Sequence, residues 1–223
     1  MRCARSLKVN ASPSAVGSTV AKRHTTPTIG VLAVQGDFAE HIRMLESLGV
    51  TAREIRLPAD LEGISGLILP GGESTAMRKL LIRWDLVKPI KALAKRGAPI
   101  LGTCAGAILL ATKIADGDEP VLSLLDVEVR RNAFGRQLES FETNLVMEGL
   151  GSEGRSRTIH AVFIRAPEIL NVGPSARAVA TLEDGRIVAA RHGRILGIAF
   201  HPEITGETGV HRWLINEATA ALG

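Results

Sequence analysis

Pro99-Ile100-Leu101-Gly102-Thr103-Cys104-Ala105-Gly106-Ala107-Ile108-Leu109-Leu110 decides the fold. Pro99–Gly102 reads as a short buried strand, and the apolar spacing predicts a helix over Ala105–Ile114 directly after it. Between the two, Gly102-Thr103-Cys104-Ala105-Gly106 fits G-x-C-x-G. In a strand–turn–helix elbow the central residue is held in a strained backbone conformation. Glycines two residues to either side remove clashes that a Cβ would create, and the central side chain is pushed out of the sheet. The unpaired N–H groups that open the helix, and the dipole behind them, favour an anion at that position, as a nucleophilic sulfur requires. An isolated cysteine is more commonly a small apolar group packed beneath a helix. Two glycines at the required offsets make that the poorer account of Cys104.

Upstream of the elbow, short β-branched runs alternate with longer amphipathic segments. Strands are expected at Thr28–Val34, Val50–Arg56 and Gly66–Leu69. Helices are expected at Phe38–Leu48, from a Ser74 or Thr75 cap to about Trp84, and at Leu86–Arg96. This is the signature of βαβ units and a parallel sheet. After Asp116 the pattern changes to strands at Leu125–Arg131, Phe141–Met147, Thr158–Ile164, Ala176–Thr181, Ile187–Arg191 and Ile195–Phe200, with a last helix at Val210–Leu222. Antiparallel additions to a mostly parallel α/β sheet, with helices on both faces, are the natural expectation.

Composition narrows the function classes. The chain has 223 residues, 45% of them hydrophobic, enough for one sizeable domain with a buried core. Aromatic residues are only 3% and tyrosine is absent, so the core is aliphatic and stacking platforms for single-stranded nucleic acid are disfavoured. The net charge of +4 is concentrated at the start: residues 1–27 carry five basic side chains and no acid. The remainder holds 22 bases against 23 acids, which removes the main support for nucleic-acid binding. Two cysteines far apart do not make a disulfide framework, and no apolar run is long enough to span a bilayer. The expected organisation is a basic, unstructured extension over 1–27 and one domain over 28–223, in a cytoplasmic protein. The extension's Ser, Thr, Ala and basic residues are also those of an organelle transit peptide.

Two further motifs fall at strand ends. His201-Pro202-Glu203 follows Ile195–Phe200, so an imidazole emerges with a carboxylate two residues later, and period-two spacing can place both on one side. A thiolate mechanism needs such a base to move the proton and an acid to fix its tautomer. Alone, the tripeptide is equally an ordinary turn. Pro70-Gly71-Gly72-Glu73-Ser74 ends the third strand, at the sheet edge where ligands bind in parallel sheets. Paired glycines let backbone N–H groups approach a developing oxyanion, which makes Gly72 and Ala105 the expected donors. Taken alone this too is an ordinary glycine turn; its weight comes from Cys104 and His201 nearby.

With these pieces in place, the sequence resembles the class I (triad) glutamine amidotransferases, and among them the glutaminase subunits of pyridoxal 5′-phosphate synthase. The segments that carry the resemblance are GVLAVQGDFAEH (30–41), LILPGGESTAMRKLL (67–81), GTCAGAILLA (102–111), RRNAFGRQLESFE (130–142), VFIRAP (162–167) and AFHPEITG (199–206). The resemblance implies a flavodoxin-like sheet, L-glutamine as substrate, and catalysis by Cys104, His201 and Glu203. It also implies glutamine contacts at Gly72, Glu73, Ser74, Arg131, Ile164 and Arg165. A substrate with an ammonium and a carboxylate calls for one acid and one base, which agrees with Glu73 and Arg131. No metal or cofactor is implied. The implied partner is a barrel-shaped synthase subunit in a large hetero-oligomer, which receives the ammonia. The rival readings are a glutaminase subunit of another biosynthetic pathway, a cysteine esterase of similar topology, and an inactive partner-binding regulator.

Overall fold

The structure, a computed structural model, describes residues 26–131, 140–151 and 154–222. The expected 1–27 extension lies outside the described residues except for its last two positions, as do residues 132–139 of the RRNAFGRQLESFE stretch. In chain order the elements are β1 (Thr28–Leu32), α1 (Phe38–Ser47), β2 (Thr51–Ile55), a 3₁₀ turn (Pro58–Leu61), β3 (Gly66–Leu69), α2 (Ser74–Arg83), α3 (Val87–Lys95), β4 (Ile100–Thr103) and α4 (Ala105–Leu110). They continue with β5 (Ala111–Ile114), β6 (Leu125–Arg130), β7 (Ser140–Met147), β8 (Arg157–Ile164), β9 (Glu168–Val172), β10 (Arg177–Thr181), β11 (Ile187–His192), β12 (Ile195–Ile198), α5 (Pro202–Thr205) and α6 (Gly209–Ala220).

The main sheet runs β2-β1-β3-β4-β12-β11-β9-β6-β5, with β10 also on β11. Its first five strands are mutually parallel. The leading order 2-1-3-4 is that of flavodoxin-like sheets, whose chain reverses direction across the sheet between β1 and β3. Alternation along each strand sends side chains to two apolar layers. Leu67, Leu69 and Ile100 pack with Met77 and Leu81 of α2 and with Ile90 and Leu93 of α3. Ile68, Leu101 and Ile198 pack on the other face with Leu45 of α1 and with Val210, Trp213 and Leu214 of α6.

The antiparallel expectation holds for β10 and β11, and for β6 against β9, but not throughout: β12 is antiparallel to β11 yet parallel to β4. β5 and β6 pair parallel to one another at the far edge. Among the described residues, β7 and β8 form a two-stranded sheet apart from the main one. Phe141 stacks on Phe163 at 4.5 Å, and Phe163 meets Phe200 edge-on at 5.6 Å, so the hairpin is clamped over the end of β12. From β8 the carbonyl of Val162 accepts the His201 N–H at 2.9 Å.

The predicted helix over Ala105–Ile114 ends at Leu110. All six of its residues are buried, and Ala111 turns to extended geometry to start β5. Pairing with β6 overrides a helical period that the apolar run shares with a buried strand. Strand β9 was not anticipated from the sequence.

Helix α4 lies directly on β3, and Gly106 is where they touch. A Cβ at Gly106 would stand 1.9 Å from the Leu69 carbonyl oxygen, and one at Gly102 would stand 2.6 Å from the backbone of Gly106. Backbone cannot swing aside as a side chain does. Gly106→Ala is therefore expected to force α4 off the sheet and to cost at least the ~1–3 kcal/mol typical of overpacking. A thermal melt reads the loss; a melting temperature equal to the parent's contradicts the contact.

Candidate functional site

The carboxyl ends of β3, β4 and β12 lie side by side in register, with Leu69 opposite Gly102 and Thr103 opposite Ile198. Each is followed at once by one of the motifs read from the sequence. Parallel pairing therefore delivers Gly72, Cys104 and His201 to one edge. A cavity of about 680 Å³ opens there, lined by Asp37, Gly72, Glu73, Ser74, Cys104, Ala105, Ile108, Asp116, Arg131, Ile164, Arg165 and His201. Every expected site residue lines it except Glu203, which stands behind His201.

Cys104 sits at φ 47°, ψ −105°, in the strained region expected of an elbow nucleophile. Its N–H donates to the Ile198 carbonyl at 2.8 Å, and its thiol points to the Ile164 carbonyl at 3.9 Å. His201 Nδ1 is 2.7 Å from Glu203 Oε1, both side chains being nearly or fully buried. That bond leaves Nε2 as the ring nitrogen free to exchange a proton with Cys104. Burial alone would push the His201 pKa down. The hydrogen bonds and negative charges of Cys104 and Glu203 outweigh it and hold the imidazole up at about 10. With the folded value raised, this contribution to stability is fully present below the ordinary value of 6.5 and is lost as pH rises through about 10.

The glycine turn after β3 differs in one detail from the expectation. The cap of α2 is neither Ser74 nor Thr75 but Glu73, whose two carboxylate oxygens accept the N–H groups of Thr75 at 2.9 Å and Ala76 at 2.7 Å. Partial burial raises the Glu73 pKa, but these two N–H groups and the nearby Arg131 charge more than offset it and hold the carboxyl below its usual range. Gly72 adopts φ 153°, and a Cβ there would lie 2.5 Å from Gln35 Oε1. That same oxygen accepts the Glu73 N–H at 2.8 Å, so Gln35 fixes the turn from the β1 side.

Arg131 reaches the cavity already engaged. Its guanidinium contacts Asp116 at 3.2 Å, Asp118 at 2.6 Å and the Thr75 hydroxyl at 3.0 Å. Asp37 stands 3.9 Å from His201 Nδ1. Asp37, His201 and Glu203 bring potential metal ligands within 4.8 Å of one another. The nitrogen such an ion would need is already hydrogen-bonded to Glu203, with Asp37 beyond hydrogen-bond reach of it, so the group reads as a His201–Glu203 pair with an acid nearby. Sequence reasoning missed Asp37, Ile108 and Asp116 as wall residues and Gln35 as a support. Gln35 and Asp37 lie in the GVLAVQGDFAEH segment, just past the end of β1.

This arrangement pairs a buried imidazole with a carboxylate on one side and a thiol on the other, as thiol acyl transfer demands. Because the Cys104 charge helps hold the proton on His201, Cys104→Ser should lower the His201 midpoint from about 10 toward 6.5. An NMR titration of the imidazole ring reads it, and an unmoved midpoint contradicts the pairing.

Comparison with known proteins agrees with the geometry. The family model described as the SNO glutamine amidotransferase family matches residues 31–220. The chain is 54% identical over 187 residues to a pyridoxal 5′-phosphate synthase subunit PdxT of Herpetosiphon aurantiacus, covering 82% of this chain and 96% of that one. It is 50% identical over 202 residues to the subunit of the same name in Clavibacter sepedonicus, covering 90% and 95%. A solved structure described as a glutamine amidotransferase superposes with a TM-score of 0.78 at 43% identity, over 85% of this chain and 98% of that one. PurLQS of Thermotoga maritima shares the fold at a TM-score of 0.66 and 18% identity, over 89% of this chain and the whole of that one. The chain belongs to the SNO glutamine amidotransferase family.

Proposed function

We propose that this chain is the glutaminase subunit of a pyridoxal 5′-phosphate synthase, and that Cys104, His201 and Glu203 hydrolyse the side-chain amide of L-glutamine. The observation that carries the chemistry is the line from Cys104 through His201 to Glu203 at the cavity's edge, with Glu203 on His201 Nδ1 and both neighbours favouring the protonated imidazole. The pathway rests on similarity to the two synthase subunits described above.

The Cys104 thiolate attacks the carboxamide carbon and forms a C–S bond, and the carbonyl oxygen takes the negative charge. The N–H groups of Gly72 and Ala105 receive that oxyanion. His201 gives its proton to the departing nitrogen as the C–N bond breaks, and ammonia leaves. His201, again a base, removes a proton from water, which attacks the γ-glutamyl thioester and returns the thiolate and glutamate. Glu203 keeps Nδ1 protonated throughout, so Nε2 is the nitrogen that exchanges protons. Glu73 and Arg131 line the cavity with opposite charges suited to the amino acid's ammonium and carboxylate, and Ser74, Ile164 and Arg165 line it with them.

Ammonia released to water is protonated and loses its nucleophilicity, so the reading includes a synthase subunit that takes it up directly. In this reading that partner is barrel-shaped and the complex a large hetero-oligomer. The reaction needs no metal or cofactor from this chain.

Glutamate release, measured with and without the synthase subunit, tests the assignment. Cys104→Ala should lower the rate in the assembled complex by more than about 10³-fold. Intact release by that variant, or silence of the parent complex, overturns it.

A further inference from the structure

Behind Glu203, on the side away from the cavity, lies a row of buried polar groups that the reaction above does not use. His41 of α1, His211 of α6 and Thr103 at the end of β4 are all fully buried. His41 Nδ1 is 2.9 Å from His211 Nε2, and His41 Nε2 is 3.2 Å from the Thr103 hydroxyl. That same His41 nitrogen is 3.5 Å from Glu203 Oε2, the carboxylate oxygen that His201 does not use. Among the described residues, Glu203 Oε2 and His211 Nδ1 are buried polar atoms with no hydrogen-bond partner of their own.

Both imidazoles are neutral. Burial, then the repulsion that a proton on both His41 and His211 would bring and the charge of His201, push His41 well below its ordinary value, and burial holds His211 down to about 4. Each ring therefore carries one proton, and only one proton lies between His41 Nδ1 and His211 Nε2. Two chains of donors are open. In the first, His211 Nε2–H donates to His41 Nδ1, and His41 Nε2–H points at Glu203 Oε2 and Thr103 Oγ1. In the second, every proton is reversed: His211 turns its proton toward the Glu207 carbonyl, Thr103 donates to His41, and a nitrogen lone pair faces the carboxylate. The first leaves a neutral ring nitrogen, His211 Nδ1, facing the Glu207 carbonyl without a donor; the second leaves a buried anionic oxygen, Glu203 Oε2, without one. Hydrogen bonds to ionised groups are roughly twice as strong as neutral ones, and an unpaired buried charge is the costlier orphan.

We propose that His41 is a positioning residue for the Cys104–His201–Glu203 line, locked by His211 in its Nε2–H tautomer so that it donates to Glu203 Oε2 and turns Oε1 onto His201. This rests on the proposed glutaminase reading. Glu203 is one buried carboxylate on a four-residue helix, and a donor on each oxygen is what stops it rotating. The charged or titratable groups facing the row are His201 and Glu203 at α5, His211 on α6 and Cys104 beyond His201, with Asp37 near His201. His41 does not line the cavity, so its loss should act on turnover and leave glutamine binding alone.

The test uses the full chain assembled with its synthase subunit. His41→Leu should lower kcat by ~10-fold, the lower end of the effect of removing a group that orients a catalytic side chain, with KM for glutamine unchanged. His41→Gln, which restores an N–H near the Nε2 position, should recover most of the loss. The His201 midpoint should fall in the leucine variant and return in the glutamine variant. Independently of folding in any variant, ¹⁵N NMR of the parent should show His41 protonated on Nε2 and His211 also on Nε2. A His41 proton on Nδ1, or a folded leucine variant with unchanged kcat, overturns the proposal. If instead the parent complex has no Cys104-dependent release, the glutaminase reading itself has failed, while the tautomer measurement still decides the His41 assignment.

Discussion

Cys104 holds its backbone at φ 47°, ψ −105°, a conformation that costs a residue with a Cβ about 1–3 kcal/mol, and the packing on either side leaves the chain no cheaper route. Strand β4 is flanked by β3 and β12 in parallel register, and the Cys104 N–H is committed to the Ile198 carbonyl. Helix α4 cannot relax the turn by rotating, because all six of its residues are buried and Gly106 lies against the Leu69 carbonyl. The sulfur is thus fixed relative to the ends of β3 and β12. Those ends carry the glycine turn and the imidazole, so the geometry of the whole site is inherited from one strained residue in the middle of a sheet.

Electrostatics then decides what can stand around that residue. A buried carboxylate is stable only when donors meet it, and Glu203 has His201 on one oxygen with His41 nearest the other. At the mouth, Glu73 and Arg131 are prepaid in a different sense: each is already held by the protein's own groups, Glu73 by the first turn of α2 and Arg131 by Asp116 and Asp118. Charges fixed this way lose little side-chain freedom when a ligand arrives, and ordering a long side chain is a main cost of binding an ion.

What was legible in the sequence was what is local in the chain. The cysteine elbow, the His201–Glu203 spacing and the glycine turn each fit within a few residues, and parallel pairing of their strands needs only the βαβ rhythm to be foreseen. Sequence reading failed where distant segments decide. Ala111–Ile114 carries the same apolar pattern in a helix or a strand, and only its partner β6, more than ten residues on, makes it a strand. Strand β9 is a short segment whose place between β11 and β6 supplies what its own pattern lacks. The hairpin β7–β8 alternates as any strand would, and nothing local reveals that it covers β12 instead of extending the sheet. Glu73 as the cap escaped notice because Ser74 and Thr75 beside it have the stronger capping preference; the extended backbone at Glu73 gives its carboxylate both N–H groups.

His41 shows why a buried polar residue is hard to read from sequence and informative in structure. In the chain it is one polar position on an amphipathic helix, 162 residues from Glu203, and the commonest role of such a histidine is a satisfied place in the core. In space it joins α1, β4 and α6 to the short helix that carries Glu203, and its partners are a second buried histidine and a threonine instead of the aliphatic side chains that fill the same layer. An aliphatic triplet there would bury as well and avoid the desolvation of two imidazoles. A fold that keeps the polar set at that point gains a fixed hydrogen-bond direction, which apolar packing cannot supply, and it gains it at the carboxylate on which the His201 tautomer depends.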